Sequence, residues 1–173
     1  EHHASAQAIL LSTDRTFLAQ AKDRIAQLLP KMERAEIIEK SLQDRGALIY
    51  CEDRRQALEV ANKIAAEHLE LAVADPAPWV NGLRHAGAIF IGPYTGETFG
   101  DYMAGPSHVL PTFGTARFAS PLGVYDFQKR SSIVGISREA AQALSAPTDL
   151  LARSEGLEAH ALAARVRGKN PQQ

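Results

Sequence analysis

The sequence has a single cysteine and no excess of either charge. The one thiol, Cys51, cannot form an internal disulfide, which fits a reducing compartment. We therefore expect a cytoplasmic protein in which Cys51 is a small buried hydrophobe on a strand. Lysine and arginine number 19 and aspartate and glutamate 20, so the formal charge is −1 and no global field attracts polyanions. Nucleic acid is not expected as a partner.

Long hydrophobic runs are also absent. No stretch reaches the roughly 18 apolar residues that a membrane span needs. The opening residues, Glu1 to His3, lack the charged and apolar regions of a signal peptide. Because the chain does not begin with methionine, we expect a piece of a longer protein. The composition, 45% hydrophobic and 23% charged, is that of a soluble globular protein with a core.

Apolar periodicity predicts strands that alternate with helices. Short, nearly continuous apolar runs are typical of buried strands, and segments with helical spacing separate them. The predicted strands cover residues 7–12, 47–51, 68–73 and 88–91. The predicted helices cover residues 14–30, 32–42, 53–66 and 76–85, and Asp14 is expected to be the N-cap of the first. This order predicts an α/β fold with a Rossmann-like, largely parallel layered sheet and flanking helices, in which sites gather at the carboxyl ends of strands.

The pattern changes between Gly92 and Gly123, where glycines and prolines break any long periodic element. A structureless loop of that length is uncommon in a compact domain unless it carries a site. Beyond it, the sequence predicts a strand at 131–136, a helix at 137–144 and a further helix at 148–167. The last of these forms a small C-terminal helical extension.

Candidate chemistry rests on histidines and carboxylates. The six histidines match no compact zinc signature, and each one taken singly is more often a structural residue, as we expect for His85. Glu67 and His68 could form an acid–base pair, although neighbouring side chains on a strand reach one pocket only where the backbone bends. Asp101 and His108 offer a carboxylate and an imidazole that suit zinc, but Asp101 could equally be a turn or capping residue.

Six motifs occur in order along most of the chain. They are EHLE (67–70), AGAIFIG (86–92), GDYMAGPSHVLPT (100–112), GTARF (114–118), VYDFQKR (124–130) and EGLEAH (155–160). In order and spacing they resemble the histidinol dehydrogenase family, and GPSHVLPT and VYDFQKR are long and distinctive. Glu1-His2 resembles the family's Q-A-E-H segment. The resemblance implies the C-terminal, catalytic and zinc-binding portion of such an enzyme.

The resemblance implies an NAD-dependent enzyme that oxidises L-histidinol to L-histidine through L-histidinaldehyde, the last steps of histidine biosynthesis. Glu67 and His68 would be the catalytic pair. Zinc would be held by His2, Asp101 and His160, with His160 supplied by the partner subunit of a homodimer. An open zinc position would let the substrate bind the metal directly.

The substrate contacts implied by the resemblance include His68, the three zinc ligands and two further residues, His108 and Glu155. Glu155 would also act across the dimer interface. In these terms residues 1–122 would be the second half of the main catalytic domain and residues 123–147 a linker strand and helix. Residues 148–173 would be a helical segment that reaches the partner's active site.

The chain departs from the family's pattern in two respects. The family's remaining zinc ligand, a glutamine, would lie two places before the match to Glu1, outside this sequence. No G-x-G-x-x-G is present, so the NAD-binding residues stay unassigned and the N-terminal half is expected to hold them. We therefore expect the isolated chain to be inactive.

Two alternatives remain open. The first is a non-catalytic zinc-binding or dimerisation module derived from the family. The second is a dehydrogenase for a different amino alcohol. Six residues argue against the non-catalytic module, because packing alone would not require them. They are Glu67, His68, Asp101, His108, Glu155 and His160.

Overall fold

The computed structural model describes residues 1–169 and confirms the α/β class. Four short strands alternate with helices, as the apolar pattern predicts. The strands are β1 Ile9–Ser12, β2 Ala47–Tyr50, β3 His68–Leu71 and β4 Ala88–Ile91. The helices are α1 Arg15–Leu28, α2 Ala35–Arg45, α3 Arg54–Ile64, α4 Ala77–Val80, α5 Glu97–Tyr102, α6 Arg138–Ser154 and α7 Glu158–Gly168.

The strands pair in parallel, as expected, but as two separate pairs. Over the described residues, β1 pairs only with β2, and β3 pairs only with β4, each over four residues in strict register. In the second pair His68 lies beside Ala88, and Glu70 beside Phe90. The layered α/β arrangement is therefore built from two small parallel sheets, each entered and left through a helix or a loop.

Aspartates fix the starts of two helices. The side chain of Asp14 accepts hydrogen bonds from the backbone N–H groups of Thr16 at 2.8 Å and Phe17 at 3.2 Å, which confirms the predicted cap of α1. Asp53 does the same for Gln56 at the start of α3, at 2.8 Å. Each aspartate follows the end of a strand, so the chain turns from strand to helix within two or three residues.

Several predicted boundaries are wrong. The helix expected at 76–85 is only the single turn of α4, because the chain turns at residues 81 and 82. The strand expected at 131–136 is absent, since a strand requires a hydrogen-bonded neighbour and none of the described strands pairs with this segment. Within the expected loop of 92–123, α5 forms together with a turn of 3-10 helix at Thr115–Arg117.

The final two helices divide later than predicted. Ser137 caps α6 through Ala140 N–H, and α6 continues through Pro147 to Ser154. The break falls at Gly156, whose φ of +74° is a left-handed conformation that glycine adopts without strain. Arg153 and Arg165 form ion pairs with Asp149 and Glu158, which link α6 to α7.

The chain divides into two compact units, one over Glu1–Phe127 and one beginning at Gln128. The first buries Leu18, Leu71 and Phe90 with several small residues. Cys51 is its most deeply buried side chain, as expected of a small hydrophobe, but it lies directly after β2 and not on the strand. The second buries Ala152 and Ala161 between its helices. The functional division at 122/123 and 147/148 stays a prediction. Within residues 1–169, none of the helices combines the length and the hydrophobicity that a membrane span requires.

Candidate metal and acid–base centre

Three side chains meet beside the second strand pair. They belong to His68 at the start of β3 and to Glu97 and Asp101 on α5. One ligand atom from each lies within 4.8 Å of the others, and His68 Nε2 lies 3.4 Å from Asp101 Oδ1. The side chains of His68 and Asp101 are 25% and 20% exposed, so the group is shielded but open to a small molecule.

The close approach of α5 to the sheet depends on a glycine. Gly100 is buried on α5, and a Cβ at that position would overlap the ring of Phe90 on β4. The Phe90 ring in turn packs against the imidazole of His68, with the ring centroids 5.9 Å apart. Because Gly100 directly precedes Asp101, the close packing of α5 against Phe90 also places the Asp101 carboxylate near His68.

A second contact holds the first turn of α5. Glu70 Oε1 accepts a hydrogen bond from the backbone N–H of Glu97 at 2.9 Å. His68 and Glu70 are two residues apart on β3, so their side chains point to the same face of the strand. Strand β3 therefore provides the imidazole of the group and also the carboxylate that anchors the helix carrying the other two members.

The electrostatics of the group centre on Glu97. Burial, a hydrogen bond with Asp101 and the negative charge of Asp101 raise the pKa of the Glu97 carboxyl. Positive charge on His68 or His2 acts in the opposite direction. Two carboxyl groups in hydrogen-bond contact are stable when they share a proton or face a cation. The effect of His2 also means that His2 lies within electrostatic range of the group.

The donor set suits a divalent metal such as zinc. An imidazole nitrogen and carboxylate oxygens are ligands that zinc accepts in proteins. The Nε2 atom of His68 is buried without a hydrogen-bond partner, and a buried polar atom normally requires one. The residues present therefore fit a bound cation, or a substrate atom that takes the free nitrogen.

The structure brings together some of the residues expected from the sequence. His68 and Asp101 are in contact, and His2 is within range. Glu67 is half-buried, directly before β3, and is not a member of the three-residue group found among the described residues. His108 is exposed in the loop that follows α5.

The remaining candidates, Glu155 and His160, belong to the unit that begins at Gln128, and both are exposed there. Sequence reasoning missed Glu97 and Glu70. The spacing between Glu97 and Asp101 is that of one helical face, and that between His68 and Glu70 is that of one strand face. These two periodicities were the available signals.

The fold and this group define an α/β protein with a metal-capable acid–base centre, and comparison with known proteins gives the family. A family model described as histidinol dehydrogenase matches residues 1–168. The histidinol dehydrogenase of Pseudomonas aeruginosa is 62% identical over 167 residues, which are 96% of this chain and 38% of that protein. That of Dechloromonas aromatica is 55% identical over 170 residues, 98% of this chain and 39% of that protein. This chain belongs to the histidinol dehydrogenase family.

A solved structure agrees with this assignment. The crystal structure of histidinol dehydrogenase from Elizabethkingia anophelis matches with a TM-score of 0.88 at 30% identity, over 96% of this chain and 38% of that one. The chain thus spans about 38% of the length of the relatives that it matches. These comparisons do not support the expectation that this share is the C-terminal portion.

Proposed function

We propose that this chain is the part of a longer enzyme that holds the zinc and the acid–base residues for oxidising L-histidinol to L-histidine. The reaction would pass through L-histidinaldehyde, with NAD as the hydride acceptor. The family is the first support for this proposal. The second is the contact between His68 Nε2 and Asp101 Oδ1, which joins a proton acceptor to a metal ligand. The remainder of the polypeptide would hold NAD.

Asp101, His2 and His160 would hold the zinc ion, with His160 supplied by the partner subunit of a homodimer. Bound zinc would orient the substrate and polarise its reacting group as a Lewis acid. Asp101 contributes a carboxylate fixed at the end of α5, and His2 lies within electrostatic range of it. Their place in the chain's first unit supports a site to which the partner needs to add one ligand only.

His68 would act as the general base. Its Nε2 has no hydrogen-bond partner and lies 3.4 Å from the Asp101 carboxylate, so it would take the proton of the substrate alcohol as the hydride departs. Glu67, the adjacent carboxylate, would activate the water that adds to the aldehyde before the second oxidation. His108 and Glu155 would bind the substrate, and the carboxylate of Glu155 suits the substrate's ammonium group.

The experiment is a comparison of two histidine substitutions in the full-length enzyme. NADH formation from L-histidinol is followed for the wild type, His68→Asn and His85→Asn. Loss of a general base should lower kcat by about 100- to 10,000-fold in His68→Asn. His85 lies in the loop between α4 and β4, outside the group, so His85→Asn should retain wild-type activity.

An equal loss of kcat in both variants would contradict the assignment of His68 as the general base. A wild-type enzyme that binds zinc and dimerises but does not form NADH would instead favour the non-catalytic module. The three-residue group gives that second candidate its support, because the group forms within this chain alone.

A further inference from the structure

Glu70 is a carboxylate beside the candidate centre that the proposed reaction does not use. It is exposed on β3, and His68 lies two residues earlier on the same face of the strand. Its Oε1 accepts a hydrogen bond from the Glu97 N–H at 2.9 Å, from a residue 27 positions further along the chain. An exposed carboxylate can be satisfied by water alone, so this long-range bond to a backbone group indicates a role in placing the helix.

Helix α5 depends on outside contacts for its position. It has six residues, too few to be stable alone, and its N-cap residue, Gly96, has no side chain that could accept one of the free N–H groups. Gly92 and Gly105, on either side of the helix, have positive φ angles, and a Cβ at either position would meet no atom within 4 Å. The chain on both sides of α5 therefore adds little restraint, and contacts with the sheet determine where the helix lies.

Two neighbouring positions of the sheet supply these contacts. Glu70 accepts the backbone N–H of Glu97 in the first turn of α5. The ring of Phe90 packs where Gly100 leaves room for it, about one turn later. Glu70 and Phe90 are partners in the register of β3 and β4, so the two contacts lie side by side. Together they hold α5 against one face of the second strand pair.

We propose that Glu70 is a positioning residue that holds the first turn of α5 on β3 and so keeps the Asp101 carboxylate beside His68 and a bound cation. Asp101 Oδ1 lies 3.4 Å from His68 Nε2, and a displacement of about 1 Å at a catalytic centre can be costly. This role rests on the proposed function, because it takes Asp101 as a metal ligand and His68 as the base. Since the contact with Phe90 remains, loss of the Glu70 bond should loosen the helix and not unfold it.

The test uses four forms of the full-length enzyme: wild type, Glu70→Ala, Glu70→Gln and Glu70→Asp. Glutamine keeps the length and an oxygen that can accept the Glu97 N–H, whereas aspartate is one methylene shorter. The matched control is Asp14→Ala, which removes the carboxylate that accepts backbone N–H groups at the start of α1. Amide hydrogen exchange over residues 97–102 reports on α5. Co²⁺ affinity and the visible Co²⁺ spectrum report on the metal centre, and kcat for L-histidinol reports on turnover.

Glu70→Ala and Glu70→Asp should exchange faster over residues 97–102, with an altered Co²⁺ spectrum and losses of about 10-fold in Co²⁺ affinity and in kcat. Glu70→Gln should restore the spectrum and come within about threefold of the wild type, because a neutral oxygen still accepts the N–H. Asp14→Ala should match the wild type in all of these measurements. A general loss of stability, which Asp14→Ala also causes, would not change the Co²⁺ spectrum.

The proposal is overturned if Glu70→Ala keeps the wild-type Co²⁺ affinity and spectrum, whether or not exchange in α5 changes. It is also overturned if Glu70→Gln is as defective as Glu70→Ala, if Asp14→Ala alters the Co²⁺ spectrum equally, or if the wild type binds no Co²⁺. Failure of the proposed function looks different: the wild type would bind Co²⁺ with the same dependence on Glu70 but would not oxidise L-histidinol.

Discussion

The two strand pairs use the same kind of residue for different purposes. In the first pair, the aspartates that follow β1 and β2 both accept hydrogen bonds from backbone N–H groups at the starts of α1 and α3. In the second pair, the helix that follows β4 starts on a carboxylate from the neighbouring strand, Glu70. This leaves Glu97 and Asp101 free to face His68. A carboxylate is available for chemistry where another group performs the capping.

The two pairs also differ in their open space. A cavity of about 620 Å³ opens beside β1 and β2 and is lined chiefly by apolar side chains, among them Ile25, Leu42 and Leu48. The polar group with His68 lies at the other pair, outside this cavity. A smaller cavity of about 390 Å³ opens beside β4 and α5 and is lined in part by Phe90 and Gly100, so volume alone does not locate the chemistry. The convergence of an imidazole with two carboxylates does.

The largest expected effect comes from a substitution at the candidate centre beside the second strand pair. Replacing Asp101 with alanine removes a metal ligand and the neighbour of His68 Nε2. We expect Co²⁺ affinity to fall by more than about 100-fold, beyond the 10- to 100-fold that loss of an outer residue costs. Isothermal titration calorimetry of the metal-free protein with Co²⁺ measures this affinity.

The matched control changes an aspartate of the first pair. Asp14→Ala removes the cap of α1 and should lower the free energy of unfolding by about 1 kcal/mol, measured with urea, while leaving Co²⁺ affinity unchanged. Weakened metal binding in Asp14→Ala, or unchanged binding in Asp101→Ala, would erase the distinction between the two strand pairs.

Local signals in the sequence were sufficient for the strand cores and helix caps. Buried apolar runs located all four strands, and Asp14 was identified as a cap from its position before a helical pattern. The pairing of strands depends on long-range contacts, which is why one layered sheet was expected where two pairs form. The contact between His68 and Asp101 joins elements about thirty positions apart, and only the family resemblance linked their roles before the structure did.

Other features could not be predicted from local pattern. Residues 131–136 have the composition of a strand, but composition supplies no hydrogen-bonding neighbour. Separate helices were expected at 137–144 and 148–167, yet α6 continues through Pro147 and ends where Gly156 permits a left-handed turn. Glu97 was missed because the glycine-rich stretch was expected to be a loop, so its helical spacing from Asp101 was not considered.

A smaller effect is expected from replacing Gly100, which allows α5 to pack closely against β4. Gly100→Ala places a methyl group against the Phe90 ring, which must shift and disturb the His68 ring packed on it. Overpacking of this kind costs about 1–3 kcal/mol of stability, which urea denaturation measures. We also expect weaker Co²⁺ binding, because Asp101 moves with the helix.

The control for this substitution is Gly135→Ala. A Cβ at Gly135 meets no atom within 4 Å, and its backbone is not left-handed, so the change should alter stability by less than about 0.5 kcal/mol. If Gly100→Ala were equally silent, the close approach of α5 to the second strand pair would not be what holds the centre together.

The smallest expected effect is a dependence of stability on pH in the metal-free chain. The pKa of Glu97 is raised by burial and by Asp101, so the folded chain binds this proton more tightly than the unfolded chain does. Stability from this group is full below the unfolded pKa of about 4.3 and is lost as pH rises through the higher folded pKa. Positive charge on His68 or His2 lowers the pKa of Glu97 and so reduces the effect.

Glu97→Gln cannot lose this proton, so the difference between the two free energies of unfolding isolates the contribution of Glu97 from those of the other titrating groups. Urea denaturation at several pH values should show the variant gaining stability relative to the wild type as pH rises from about 4 towards neutrality. A constant difference between wild type and Glu97→Gln would mean that the two carboxyl groups of α5 do not share a proton, and the second strand pair would then differ from the first in geometry but not in electrostatics.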